Sequence, residues 1–178
     1  PTAVMAGIGN ASKYGILIKS GDALERFSKI KYIAFDKTGT LTNGTPKVIA
    51  VETLGKKYND DEIFKIAVAA EKMSEHPLGK AICSSYKGKV EYVAENFEVI
   101  AGKGISCKIN NSQVLVGKMD LMNSQKVKIL PAQLNKDKKF IKEGATITYI
   151  SIDGNLEGMI ILADTVRSTA SDMIARLK

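Results

Sequence analysis

The heptapeptide Asp36-Lys37-Thr38-Gly39-Thr40-Leu41-Thr42, set directly behind the apolar run Tyr32-Ile33-Ala34-Phe35, constrains this chain more than any other stretch. The run is short, continuous and followed by a turn, which predicts a short buried strand. In open α/β sheets, ligands bind in the crevice beyond the carboxyl ends of the strands, so Asp36 is expected at the mouth of such a crevice. Gly39 permits a tight turn just behind it. Thr38, Thr40 and Thr42 bring hydroxyls and backbone groups able to hold phosphate oxygens. A carboxylate so placed can attack phosphorus and become an acyl phosphate. The same residues would also suit a plain strand end followed by a polar turn.

Composition narrows the alternatives. The 178 residues can make one domain or two small ones, and the net charge of +7 allows a nucleic acid, an anionic membrane surface or a polyphosphate as partner. The lysines are scattered. Their densest patch, Lys136, Lys138, Lys139 and Lys142, reads as a solvated surface, and aromatic residues make up only 6%, too few for an interleaved stacking platform. No nucleic-acid partner is therefore expected. Cys83 and Cys107 form no CxxC, and His76 is the sole histidine, so a multi-histidine metal site is excluded. Both cysteines are expected as reduced apolar fillers, Cys107 on a strand and Cys83 on the packed face of a helix. No apolar run approaches a membrane span, and no signal peptide is visible.

Taken in order, the chain opens with a weak helix over residues 1–14 that Gly15 stops, a short extended run at Ile16-Leu17-Ile18, and a short helix over residues 22–29. Asn43-Gly44 marks a turn and a plausible hinge, and residues 47–51 read as a strand. Asp60 and Asp61 can cap a helix that buries Ile63, Phe64, Ala67, Val68 and Ala70 and ends near Met73. Pro77 disfavours helix at His76 and suits the first turn of a new helix over residues 77–86, which holds His76 at a junction where its ring can face a pocket. A lone histidine is more often structural. Residues 90–99 are expected to supply a strand leading into Gly102-Lys103-Gly104, where the backbone can approach a ligand closely or simply turn. Ser106 to Ile109 and Gln113 to Val116 read as strands around a hairpin at Asn110-Asn111-Ser112, and a helix starts at Met119 beyond Gly117. A further helix is expected from Pro131 or Ala132 until Gly144. Residues 146–152 and 156–163 form a hairpin about Asp153-Gly154-Asn155, and residues 168–177 form an amphipathic helix with Ala170, Met173, Ile174 and Leu177 on one stripe.

The heptapeptide resembles the phosphorylation motif of the P-type ATPases, within the wider haloacid-dehalogenase-type class of aspartate-nucleophile phosphotransferases. Ser74-Glu75-His76-Pro77 resembles the His-Pro element of the heavy-metal branch of that family. Gly102-x-Gly104, Gly117 with Leu121-Met122, and Asp164-x-x-Arg167 are similar to its later elements and occur in its order. Residues 1–25, beginning Pro1-Thr2-Ala3-Val4, look most like the copper-transporting members just after their Cys-Pro-Cys membrane helix. The resemblance covers essentially the whole chain.

The resemblance implies an α/β plus α+β architecture. A partial Rossmann-like phosphorylation domain would carry an inserted antiparallel-sheet nucleotide-binding domain. Residues 1–43 would be the membrane-proximal segment and first part of the phosphorylation domain, 44–163 the nucleotide-binding domain, and 164–178 the return. It implies Asp36 as the phosphorylated nucleophile, with Lys37, Thr38, Gly39 and Thr40 around the phosphate, and Mg²⁺ held by Asp36 and Thr38. It further implies a nucleotide pocket at Glu71, His76, Gly102, Gly104 and Gly117, a hinge at Asp164 and Arg167, and ATP and Mg²⁺ as cofactors. The family usually has Asn where this chain has Lys118, a replacement that can add a charge contact to phosphate.

The function so implied is ATP-driven export of Cu(+) by an integral membrane protein of which this is a cytoplasmic part. Zinc, cadmium or cobalt transport is the alternative. The partners would be ATP, the metal ion carried by membrane helices, the remaining phosphorylation-domain segments and the actuator domain. A soluble aspartate-nucleophile phosphatase is a rival reading, but many such enzymes place a general acid/base Asp where this chain has Thr38. A stand-alone binder of nucleotide or nucleic acid is the non-enzymatic rival. The family's Thr-Gly-Asp loop, phosphoryl-contacting lysine and Gly-Asp-Gly-x-Asn-Asp motif do not occur in these residues, so poor turnover is expected of them alone.

Overall fold

The structure is a computed structural model that describes residues 2–133 and 136–177. The chain divides into two compact units, Pro1–Asp36 and Lys37–Lys178. The first contains α1 (Thr2–Lys13) and α2 (Gly21–Phe27). Ser20 caps α2 by accepting a bond from the Ala23 N–H at 3.2 Å. The strand expected at residues 32–35 is not formed; that stretch, like Ile16-Leu17-Ile18, has no regular secondary structure, and Leu17 and Tyr32 are 87% and 93% exposed. A strand exists only when a neighbour takes up its backbone groups, and among the described residues of this unit there are only helices to offer.

The second unit is built on one six-stranded antiparallel sheet, ordered β1-β6-β5-β4-β3-β2. The strands are β1 (Thr42–Thr53), β2 (Ala94–Ile100), β3 (Gly104–Ile109), β4 (Ser112–Gly117), β5 (Thr146–Ile152) and β6 (Asn155–Val166). On one face lie α3 (Asp60–Glu71) and α4 (Pro77–Ser85), packed on Ile105, Cys107, Val114, Val116, Ile150, Ile160 and Leu162. The opposite face is covered around α5 (Met119–Ser124) and α6 (Lys138–Lys142), where Leu115, Ile147, Tyr149, Met159 and Ile161 are buried. Side chains alternate between faces along a strand, so β5 and β6 read as nearly continuous apolar runs because both their faces are covered. Helix α7 (Ala170–Leu177) ends the chain; only Ala170 of its expected stripe is buried, and Leu177 is 53% exposed.

Local chemistry explains most boundaries. The cap of α3 is Asn59, not Asp60 or Asp61: its side chain accepts from the Glu62 N–H while the Glu62 carboxylate accepts from the Asn59 N–H, both at 2.9 Å. The β3–β4 and β5–β6 hairpins turn at Asn110-Asn111 and Asp153-Gly154, all four with positive φ, as a tight turn matched to strand twist demands. β1 begins at Thr42, five residues earlier than the sequence pattern predicts, and β6 continues to Val166, because the two pair with each other as far as Thr42 and Val166. β2 starts only at Ala94. The helix expected from Pro131 or Ala132 is restricted, among the described residues, to Lys138–Lys142; residues 134 and 135 lie outside them. Cys107 is fully buried on β3 and Cys83 partly buried on α4, as expected.

Candidate nucleotide pocket and phosphoryl-acceptor loop

Five sequence-predicted residues come together in one pocket of ≈ 170 Å³: Glu71, His76, Gly102, Gly104 and Gly117. Their elements are distant in sequence. Glu71 is the last residue of α3, and His76 caps α4. The His76 Nδ1 accepts the Leu78 N–H at 3.2 Å, which requires Nδ1 to be unprotonated and fixes the ring at the start of the helix. Pro77 supplies the helical φ at the next position without needing a hydrogen-bond acceptor.

Gly102 and Gly104 form the other wall. The Lys103 N–H closes a turn onto the Ile100 carbonyl at 3.0 Å, and Gly102 carries the φ of +70° that the turn needs. Gly104 faces Gly117 across β3 and β4. A Cβ on Gly104 would stand 2.2 Å from the Val116 carbonyl oxygen, and one on Gly117 would stand 2.4 Å from that of Lys103. Two bare residues opposite each other thus let the strands close up at the pocket edge.

Glu71 is the unusual member. It is 7% exposed, and its Oε2 has no hydrogen-bond partner among the described residues. Burial pushes its carboxyl above the ordinary carboxylate value, against the smaller opposing pull of the Ser74 hydroxyl and the His76 ring. That oxygen is itself buried beside Gly79, and an unpaired buried acceptor favours the protonated carboxyl. The sign of the linkage is definite. The raised value means that the fold favours neutral Glu71, so its contribution to stability is present below 4.5 and lost as pH rises through the raised value. Glu71→Gln should therefore melt about 2–4 °C higher than wild type at pH 7.5, on the order of 1 kcal/mol, and the gain should shrink at pH 4.5. Thermal melts at the two pH values check this; an unchanged or lower melting temperature at pH 7.5 would show that the carboxylate has a partner.

Sequence reasoning missed Ser74, Leu78, Val99, Thr146 and Thr148, which also line the pocket. The two threonines sit two apart on β5 and so share a face, but only the strand order brings that face beside Gly117.

The second predicted cluster lies at the other end of β1 and β6. Asp36 is exposed and closes the first unit; Lys37, Thr38, Gly39 and Thr40 are exposed and open the second. The loop has an extended Thr38 and a left-handed Gly39, φ +78°. It is held from within by Thr42, 4% exposed, whose hydroxyl accepts the Gly39 N–H at 3.2 Å and reaches the Lys37 carbonyl at 3.0 Å. Asp164 and Arg167 grip it from outside. The Asp164 carboxylate accepts from the Thr42 hydroxyl and from the Gly44 N–H at 3.0 and 3.1 Å. The Arg167 guanidinium donates to the Thr42 and Gly39 carbonyls, each at 3.0 Å, and its backbone N–H donates to Leu41 at 2.9 Å. Asn43 adds a bond to the Thr165 hydroxyl at 2.8 Å. The residues read as a hinge are thus a clamp on the loop that follows Asp36.

Among the described residues no three His, Cys, Asp or Glu side chains form a metal-holding group. Mg²⁺ commonly uses one or two carboxylates with substrate phosphates and water. The exposed Asp36 supplies one such carboxylate. Among the described residues no helix is long and apolar enough to cross a membrane.

With this geometry in place, comparison with known proteins is informative. A family model described as haloacid dehalogenase-like hydrolase matches residues 30–178. The chain is 38% identical, over 100% of its length, to the copper-exporting P-type ATPase of Bacillus subtilis. It is 37% identical, over 99% of its length, to the probable copper-exporting P-type ATPase V of Mycobacterium tuberculosis. It spans only 22% and 23% of the length of these curated relatives. Among solved structures, a zinc-transporting PIB-type ATPase superposes with a TM-score of 0.81 at 30% identity, covering 98% of this chain and 28% of that one.

Proposed function

This chain belongs to the haloacid dehalogenase-like hydrolase family, and from that premise we propose that it is the ATP-binding and phosphoryl-accepting region of a copper-exporting P-type ATPase. Residues 44–163 act as the nucleotide-binding domain, inserted between residues 1–43 and 164–178 of the phosphorylation domain. The observation that carries the reading is the convergence of Glu71, His76, Gly102, Gly104 and Gly117 on one pocket. Copper is preferred to zinc, cadmium or cobalt because identity to the copper exporter is 38%, against 30% for the zinc transporter. The intact protein lies in a membrane, with this region on the cytoplasmic side.

The chemistry follows from the residues. The adenine enters the pocket against the fixed His76 ring, beside Glu71. The bare Gly104–Gly117 edge lets the nucleotide lie close to the backbone. The Asp36 carboxylate attacks the γ-phosphorus; the P–O bond to ADP breaks, and a mixed carboxylic–phosphoric anhydride remains on Asp36. Asp36 and Thr38 would hold Mg²⁺, whose charge would offset that of the phosphoryl oxygens. With Thr38 in place of a second acid, no side chain two residues on activates water, so the anhydride lasts long enough for a conformational step. Asp164 and Arg167, bonded to both ends of the 39–44 loop, tie the position of that loop to the β1–β6 ribbon.

Titration calorimetry with ATP tests the pocket directly on this chain. His76→Ala should weaken binding by about 5–30-fold, the loss of one stacked aromatic contact of about 1–2 kcal/mol. Equal affinities for the two proteins would rule the assignment out.

A further inference from the structure

Two lysines stand where the pocket opens. Lys103 and Lys118 lie one residue beyond the facing Gly104 and Gly117, and the Lys118 N–H donates to the Lys103 carbonyl at 2.8 Å. That bond holds their backbones side by side as the two strands leave the sheet. Both residues line the pocket, and both are exposed. Among the described residues neither makes an ion pair, unlike Lys65, Lys89 and Lys136. Two long cationic side chains rising from adjacent backbones can converge on one anion. The pocket's one carboxylate, Glu71, is instead buried. The site is therefore polarised, with a buried carboxyl inside and two cations at the rim.

We infer that Lys103 and Lys118 form a cationic clamp for the phosphate chain of the bound nucleotide, and that this clamp makes the pocket select nucleoside di- and triphosphates over the bare nucleoside. The inference rests on the nucleotide reading of the pocket. It assigns to two side chains of this protein the discrimination that bare glycines and a buried carboxylate cannot supply. Lysine suits the task as a mobile point charge that can follow a flexible polyphosphate. Exposed side chains on a strand end leave the fold untouched when truncated, so binding and stability can be separated.

The test compares ATP, ADP and adenosine by calorimetry, at about 0.05 and 0.3 M salt, on wild type, Lys103→Ala, Lys118→Ala and the double variant. Wild type should bind ATP roughly tenfold or more tightly than adenosine at low salt, with the ratio falling at high salt. Each single variant should lower the ratio by about threefold, and the double variant should bring it to within about twofold of unity with an unchanged melting temperature. Adenosine affinity should be the same in all four proteins. An ATP-to-adenosine ratio that the double variant leaves unchanged would overturn the clamp, while adenosine binding weakened by His76→Ala would leave the pocket assignment standing. Adenosine binding indifferent to His76→Ala would overturn both.

Discussion

Asp36→Asn should abolish the acyl phosphate. In the intact transporter, labelled γ-phosphate from ATP should no longer appear as an acid-stable, hydroxylamine-sensitive adduct, and turnover should fall by about 10⁴-fold or more. The reason is the identity of the attacking atom. A carboxylate oxygen carries the charge that forms the new O–P bond, whereas a carboxamide is neutral and a poor nucleophile. No other acid lies in the 37–44 loop, and the Asp164 carboxylate against it is engaged by the Thr42 hydroxyl and the Gly44 N–H. ATP affinity should be kept or should rise, since one negative charge facing the polyphosphate is gone. That separation of binding from chemistry makes the result diagnostic. Full labelling of the Asn variant would move the phosphoryl acceptor elsewhere and dissolve the functional reading.

The largest structural effect is expected at Gly104. Its φ of +152° is one that side-chain-bearing residues rarely adopt, and a Cβ there would lie 2.2 Å from the Val116 oxygen and 2.6 Å from the Gly117 Cα. Both obstacles are backbone, so no side chain can rotate away. Gly104→Ala must either pull β3 from β4 at the pocket edge or distort the turn at Gly102. A cost of about 3 kcal/mol is expected, equivalent to a drop of roughly 6–12 °C in melting temperature. Gly102→Ala is the control: its Cβ would meet nothing within 4 Å, so only the strain of φ +70° remains, about 1 kcal/mol. Thermal unfolding of the two variants ranks these effects. Equal losses would mean that strand approach at Gly104 is not the limiting contact.

These two residues mark how far local sequence information reaches. The turns, caps and alternating strands of the second unit were legible because each is decided within a few residues: Pro77 after His76, Asn110-Asn111 and Asp153-Gly154 at positive φ, and the apolar runs of β5 and β6. The strand predicted at residues 32–35 failed for the complementary reason. Its apolar pattern is genuine, but a strand is a relation between two segments, and the first unit offers it no neighbour among the described residues. The true start of β1 was hidden likewise, since Thr42 to Pro46 is extended only through its pairing with Asp164 to Val166.

The site divides along the same line. Asp36, the threonine-rich loop, His76-Pro77 and the paired glycines could be proposed as candidates from residue type and order alone, because the chemistry of a carboxylate, a ring or a missing Cβ belongs to the residue itself. What depends on neighbours far along the chain emerged only in three dimensions. Burial turned Glu71 into an unpaired, proton-favouring group, strand order brought Thr146 and Thr148 to the pocket, and pairing of the β1 and β6 ends made Asp164 and Arg167 a clamp on the 39–44 loop. Solvation and contact are properties of an environment, and residues more than a hundred positions apart acquire a shared environment only when the sheet forms.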